Sequence, residues 1–114
     1  MSAITTHVLD TARGRPAAGV PVALEELDSR GQWQPIGRAE TDADGRANHL
    51  MQDDRPLQPG VYRLLFDTRT YFDQQSVSTL YPAVVVVFEA AAGETHYHVP
   101  LLLGPFGYTT YRGS

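Results

Sequence analysis

The sequence predicts an all-β domain: a two-sheet β-sandwich of about eight short strands with one short helix. Three observations carry that expectation. Apolar and polar residues alternate through much of the chain, as Val20, Val22 and Leu24 do against Pro21, Ala23 and Glu25. That two-residue period marks a strand with one buried face. Turn-forming clusters separate these segments, at Arg13-Gly14-Arg15-Pro16, Asp28-Ser29-Arg30-Gly31, Asp44-Gly45, Pro59-Gly60 and Gly104-Pro105. One stretch, Thr68 to Ser76, breaks the period.

In chain order, Ala3 to Asp10 is rich in β-branched residues and forms the first strand. Val20 to Glu25 follows, then Trp33 to Thr41. Asp44-Gly45 predicts a hairpin, because glycine supplies the positive φ that such turns need. It leads into a strand from Arg46 to Leu50 and a loop at Asp53-Asp54-Arg55-Pro56. Tyr62, Leu64 and Phe66 share one face of the next strand. Thr68 to Ser76, with polar residues around Tyr71 and Phe72, is read as the helix. Pro82 opens the run Ala83 to Phe88, where its missing N–H is tolerable. The unbroken apolar run predicts a central strand buried on both faces. Glu94 to Leu103 and a last strand into Tyr111 complete the set.

At 114 residues the chain holds a single domain, 1–114, with no room for a second core. A chain of this size hides roughly two-thirds of its unfolded surface, enough for a core without staples. It has no cysteine, which excludes disulfides, thiolate zinc sites and a cysteine nucleophile. A formal charge of −4 with scattered basic residues argues against nucleic acid as a partner. The longest apolar run is far short of a membrane span. The first strand starts almost at Met1, leaving no space for an apolar signal stretch, so a cytoplasmic location is expected.

Imidazoles carry the candidate chemistry. His96 and His98, two apart in a strand, project from one face, and an imidazole titrates near neutrality. Such a pair suits proton transfer. It equally suits one surface residue beside one satisfied by a neighbour. A third reading is zinc, with His7 or His49 as a further ligand, although nothing in the spacing enforces it. His7 alone reads as structural. Arg46, directly after the Asp44-Gly45 turn, stands at a sheet rim where a guanidinium could hold a planar anion or a developing oxyanion, or simply be solvated. Asp42-Ala43-Asp44-Gly45 lacks the full ligand series of a calcium loop. The polar ending Tyr111-Arg112-Gly113-Ser114 can line a site if it is docked.

Several of these segments together resemble a known family. They are Thr6-His7-Val8-Leu9-Asp10-Thr11, Gly14-Arg15-Pro16-Ala17, Gly19-Val20-Pro21-Val22, Asp44-Gly45-Arg46 and Tyr81-Pro82. The most distinctive are His96-Tyr97-His98-Val99-Pro100-Leu101-Leu102-Leu103 and Tyr111-Arg112-Gly113-Ser114. The chain resembles the transthyretin-like family, specifically its enzyme branch, the 5-hydroxyisourate hydrolases. Gly104 and Leu80 depart from the family pattern without touching an expected catalytic group.

The resemblance implies a homotetramer, a dimer of dimers, with sites in the channel between dimers. It implies hydrolysis of 5-hydroxyisourate without a metal or cofactor. His7, Arg46 and His98 are then the expected catalytic groups, and Tyr111, Arg112, Gly113 and Ser114 complete substrate binding with His7 and Arg46. His98 stands ahead of His7 as the base, with Ser114 or a second imidazole orienting it, and His96 is expected to be structural. The competing expectation is a non-catalytic transthyretin-like protein that binds a small molecule.

Overall fold

Residues 2–114 are described by the structure, a computed structural model. Among them the chain forms β1 (Ile4–Asp10), β2 (Arg15–Pro16), β3 (Pro21–Leu27), β4 (Trp33–Glu40), β5 (Arg46–Ala47), β6 (Gly60–Phe66), α1 (Thr68–Asp73), β7 (Val84–Ala90), β8 (Tyr97–Gly104) and β9 (Gly107–Thr110). One sheet has the order β2-β1-β8-β9, with β5 also paired to β1, and the other is β4-β3-β6-β7. The sandwich is therefore as expected, with nine strands where about eight were read, two of them only two residues long.

Period-2 patterning becomes packing across the gap between the sheets. Ile4 and Val8 of β1 and Val99, Leu101 and Leu103 of β8 meet Val22 and Leu24 of β3 and Tyr62, Leu64 and Phe66 of β6 in one core. Each such side chain contributes about 1.5–3 kcal/mol when fully buried. Polar groups facing inward are paired: Thr6 Oγ1 donates to the Val99 carbonyl at 2.6 Å. The Tyr71 hydroxyl donates to buried Asp10 at 2.6 Å, which ties the helix to the end of β1.

The helix is shorter than the stretch read from sequence. Asp67 caps its start by accepting from the Thr70 N–H at 3.1 Å. It exits through Ser76, which takes a left-handed φ of 55°, while the Val77 N–H reaches back to the Phe72 carbonyl at 3.0 Å.

Four expectations are corrected. The run Ala83 to Phe88 is not a central strand buried on both faces, because β7 lies at the edge of its sheet. Val84 and Val86 enter the core while Val85 and Val87 are 44% and 58% exposed. An all-valine run has no polar face to announce this. The Asp44-Gly45 turn does not close a hairpin: β4 and β5 belong to different sheets, so the turn carries the chain across the sandwich. The strand that follows stops at Ala47 rather than Leu50, whose side chain turns into the core. Finally, β8 begins at Tyr97, because the Ala91–Glu94 turn, with Gly93 at φ 88°, precedes it and leaves His96 outside the strand. No helix is long and apolar enough to cross a membrane.

Candidate active site

The parallel pairing of β1 with β8 builds the site. Its register sets Thr5 opposite His98, and the antiparallel pairing of β1 with β5 sets His7 opposite Arg46. Register partners point to the same side of a sheet, and residues two apart share a face. Ile4, Thr6 and Val8 take the core side of β1, so Thr5 and His7 take the outer side. The chain thereby brings His7, Arg46 and His98 onto one outer sheet face.

The loop before β5 is braced by Asp42, whose Oδ1 accepts from the backbone N–H of Asp44 at 2.9 Å and of Arg46 at 3.0 Å. Gly45, at φ 77°, packs its backbone against the Val8 carbonyl so closely that a Cβ there has no room. The braced loop turns the Asp44 carbonyl toward His7, 2.8 Å from Nε2. A carbonyl only accepts, so Nε2 carries the proton of the neutral ring and Nδ1 is left as its acceptor.

His98 has its Nδ1 2.8 Å from Thr5 Oγ1. Burial, followed by the neighbouring charges of Arg46, His7 and His96, holds its pKa below the ordinary imidazole value. The ring is thereby kept neutral, with a nitrogen able to accept a proton. Its Nε2 has no hydrogen-bond partner among the described residues. His96, itself exposed, has Nε2 3.2 Å from the same threonine oxygen.

The C-terminal tail is docked at one point. Gly113 forms a bridge with His98, its N–H donating to the His98 carbonyl at 2.7 Å. A Cβ added at Gly113 would lie 2.6 Å from His98 Cδ2 and 3.2 Å from Pro100 Cγ. Only glycine fits this approach. Gly113→Ala is expected to cost about 1–3 kcal/mol of local packing. It should lower kcat/KM about tenfold or more, with the melting temperature of the sandwich little changed. Steady-state kinetics beside a thermal melt checks this.

The neighbouring tail residues make contacts of their own. Arg112 pairs with Glu94 at 3.3 Å and stacks 4.2 Å over the Tyr97 ring. Tyr111 is 53% exposed and Ser114 is exposed, and neither hydrogen-bonds within the described chain. His49 is also remote, paired with Asp53 at 3.4 Å. Among the described residues no three His, Cys, Asp or Glu side chains converge as metal ligands. Thr5 is the residue that sequence reasoning missed. Its spacing from His7 was visible, but its contact with His98 exists only through the β1–β8 pairing.

The patch is open rather than enclosed. A groove of about 620 Å³ belongs to the opposite sheet, lined by Pro21, Ala23, Glu25, Arg38, Glu40 and Leu65 among others. A smaller one of about 360 Å³ reaches His96 but neither His98 nor Arg46.

A family model described as "HIUase/Transthyretin family" matches residues 4–113. The chain belongs to this family. Among HIUase/Transthyretin relatives, the 5-hydroxyisourate hydrolase of Mus musculus is 44% identical over 114 residues, covering 99% of this chain and 96% of that one. The "Uric acid degradation bifunctional protein TTL" of Arabidopsis thaliana is 45% identical over 123 residues; the match covers 97% of this chain but spans only 37% of that protein. Two solved HIUase/Transthyretin structures superpose over nearly the whole chain. The Klebsiella pneumoniae 5-hydroxyisourate hydrolase gives a TM-score of 0.86 at 33% identity, covering 100% of both chains. Transthyretin from Sparus aurata gives 0.91 at 33% identity, covering 99% of this chain and 97% of that one. The two solved structures, at equal identity, do not by themselves separate the branches of the family, whereas relatives at 41–45% identity over nearly the whole chain carry the hydrolase name. The side chains on the outer face bear on the same choice.

Proposed function

We propose that this chain is a 5-hydroxyisourate hydrolase of urate degradation, opening the cyclic amide to the ureido-imidazoline carboxylate by attack of water without a metal or cofactor. One observation carries the reading: His7, Arg46 and His98 share one sheet face with Gly113 of the tail against them. Relatives named as hydrolases across nearly the full chain support it. A site for an apolar ligand would favour an apolar lining, whereas this face presents imidazoles and a guanidinium.

In the reaction, His98 takes the water proton on its free Nε2, as a neutral imidazole of lowered pKa can at neutral pH. Arg46 holds substrate oxygens and stabilises the tetrahedral oxyanion with its planar fork. His7, fixed by the Asp44 carbonyl, offers Nδ1 to a substrate N–H and orients the ring. The tail completes the pocket, with Gly113 allowing the approach and Tyr111, Arg112 and Ser114 at its margin.

The open face also supports a homotetramer, a dimer of dimers, in which a second copy covers the patch and makes a cavity of it. Exposed Val85 and Val87 on the free β7 edge and Phe106 at the β8–β9 turn, 71% exposed, are apolar surface suited to such contacts. We take the 114 residues as one domain, working in the cytoplasm on a small molecule, with no nucleic acid or membrane partner.

The deciding experiment generates 5-hydroxyisourate with urate oxidase and follows its ultraviolet decay. Acceleration over the spontaneous rate is expected, and an unchanged rate overturns the assignment. The acid limb of kcat/KM should have its midpoint below the ordinary imidazole value of about 6.5, because His98 resists protonation. A midpoint above that value would remove His98 as the base. The same depression acts on stability. Below about pH 6.5 the unfolded chain binds the proton that folded His98 refuses, so acidification through that window weakens the fold.

A further inference from the structure

Thr5 stands between two imidazoles. Its Oγ1 lies 2.8 Å from His98 Nδ1 and 3.2 Å from His96 Nε2, and the residue is 1% exposed. A threonine hydroxyl has one hydrogen to give and lone pairs to receive. It cannot donate to both rings, so in the fully bonded arrangement one ring donates to it and it donates to the other. Two such arrangements exist, and passing from one to the other moves two protons, each along one hydrogen bond, and carries one unit of positive charge from one ring to the other. One end of the chain of bonds is partly buried His98, and the other is exposed His96.

We propose that the Thr5 hydroxyl is a proton relay joining His98 to His96, and that His96 holds the positive charge created when His98 deprotonates the attacking water. The proposal rests on the hydrolase reading given above and adds two positioning residues to it.

The protons balance. At rest His98 carries its hydrogen on Nδ1 and donates it to Thr5, Thr5 donates to His96 Nε2, and His96 carries its own on Nδ1. As the water oxygen bonds to the carbonyl carbon, its proton goes to His98 Nε2. The Nδ1 proton moves to Thr5 Oγ1, and the hydroxyl's original proton moves to His96 Nε2. His98 is then neutral with its hydrogen on Nε2, and His96 is an imidazolium facing solvent. When the carbon–nitrogen bond breaks, the leaving nitrogen takes the Nε2 proton and both relay protons return. Water has added across the amide bond, the protein regains its starting protons, and no electrons are exchanged.

Charge is better placed at the exposed end. His98 is surrounded by Arg46 and His7 and is partly removed from water, which disfavours a lasting imidazolium there. His96 keeps solvent contact.

Four variants test the relay: Thr5→Val, which keeps the shape and removes the hydroxyl, Thr5→Ser, His96→Asn, and Thr5→Val with His96→Asn. Thr5→Val and His96→Asn should each lower kcat about 10–100-fold with KM within about twofold. Thr5→Ser should restore most of the rate. The double variant should be no worse than either single one, because both cut the same chain of bonds. Rates in H2O–D2O mixtures should curve for the unsubstituted protein, with several protons in motion, and become linear in the two impaired variants. Full kcat in His96→Asn, losses that multiply in the double variant, or curvature that persists overturns the relay, even if Thr5→Val is slow through lost positioning alone. Should Thr5→Val fail to fold, His96→Asn at an exposed position decides by its kcat and its isotope curve. If the unsubstituted protein does not speed the decay of 5-hydroxyisourate, the hydrolase reading fails instead.

Discussion

His98→Asn is expected to lower kcat by a factor of about 10²–10⁴, the range that a positioned general base supplies. The substitution keeps a hydrogen-bonding group near Thr5 and the backbone bridge to Gly113, which uses the His98 carbonyl and not its ring. The fold should therefore persist while the proton acceptor is lost. The effect belongs in kcat, because the missing step is chemical, with KM changed little. Stopped-flow decay of freshly generated 5-hydroxyisourate beside a thermal melt separates the two quantities. A variant that folds normally and keeps more than about half the rate would falsify the role of this imidazole.

Arg46 offers a second large effect, and two substitutions divide its contributions. Arg46→Ala removes both the charge and the fork and should cost about 10²–10³ in kcat/KM, as loss of one oxyanion donor does. Arg46→Lys keeps the charge but cannot reproduce the planar pair of donors, so most of that loss should remain. The pH profile distinguishes the variants further. The Arg46 charge is the first-named electrostatic neighbour that lowers the His98 pKa, after burial. Its removal in Arg46→Ala should move the acid limb upward, toward the ordinary imidazole value, whereas Arg46→Lys should leave the limb near its original place. A lysine variant with full kcat/KM would show that a point charge suffices. An unmoved limb in the alanine variant would place the guanidinium too far from His98 to act on it.

How far the sequence could be read follows from which signals are local. Tyr62, Leu64 and Phe66 announced a half-buried strand because its other face carries Arg63. The valines of β7 hid theirs, since a strand whose exposed face is also apolar looks the same as one buried twice. Asp44-Gly45 was legible as a turn, because a tight turn is a matter of four residues. That it joins opposite sheets depends on hydrogen bonds to β1, which no window around the turn contains. The same limit applies to the site. Motif resemblance pointed to His7, Arg46 and His98, and composition alone did not. The contact between Thr5 and His98 spans 93 positions and follows from the parallel register, which leaves no periodic trace.

That wide separation also governs when the protein can first work. A ribosome delivers Thr5 early and His98 near the end of this stretch, so a nascent chain can collapse its middle strands well before β8 arrives to lie beside β1. Pairings between such distant segments carry a large loop-closure cost and form slowly. Activity should thus emerge as one of the latest events in maturation, and unfinished molecules should present β1 with its partner edge bare, open to capture by a chaperone or by another incomplete copy.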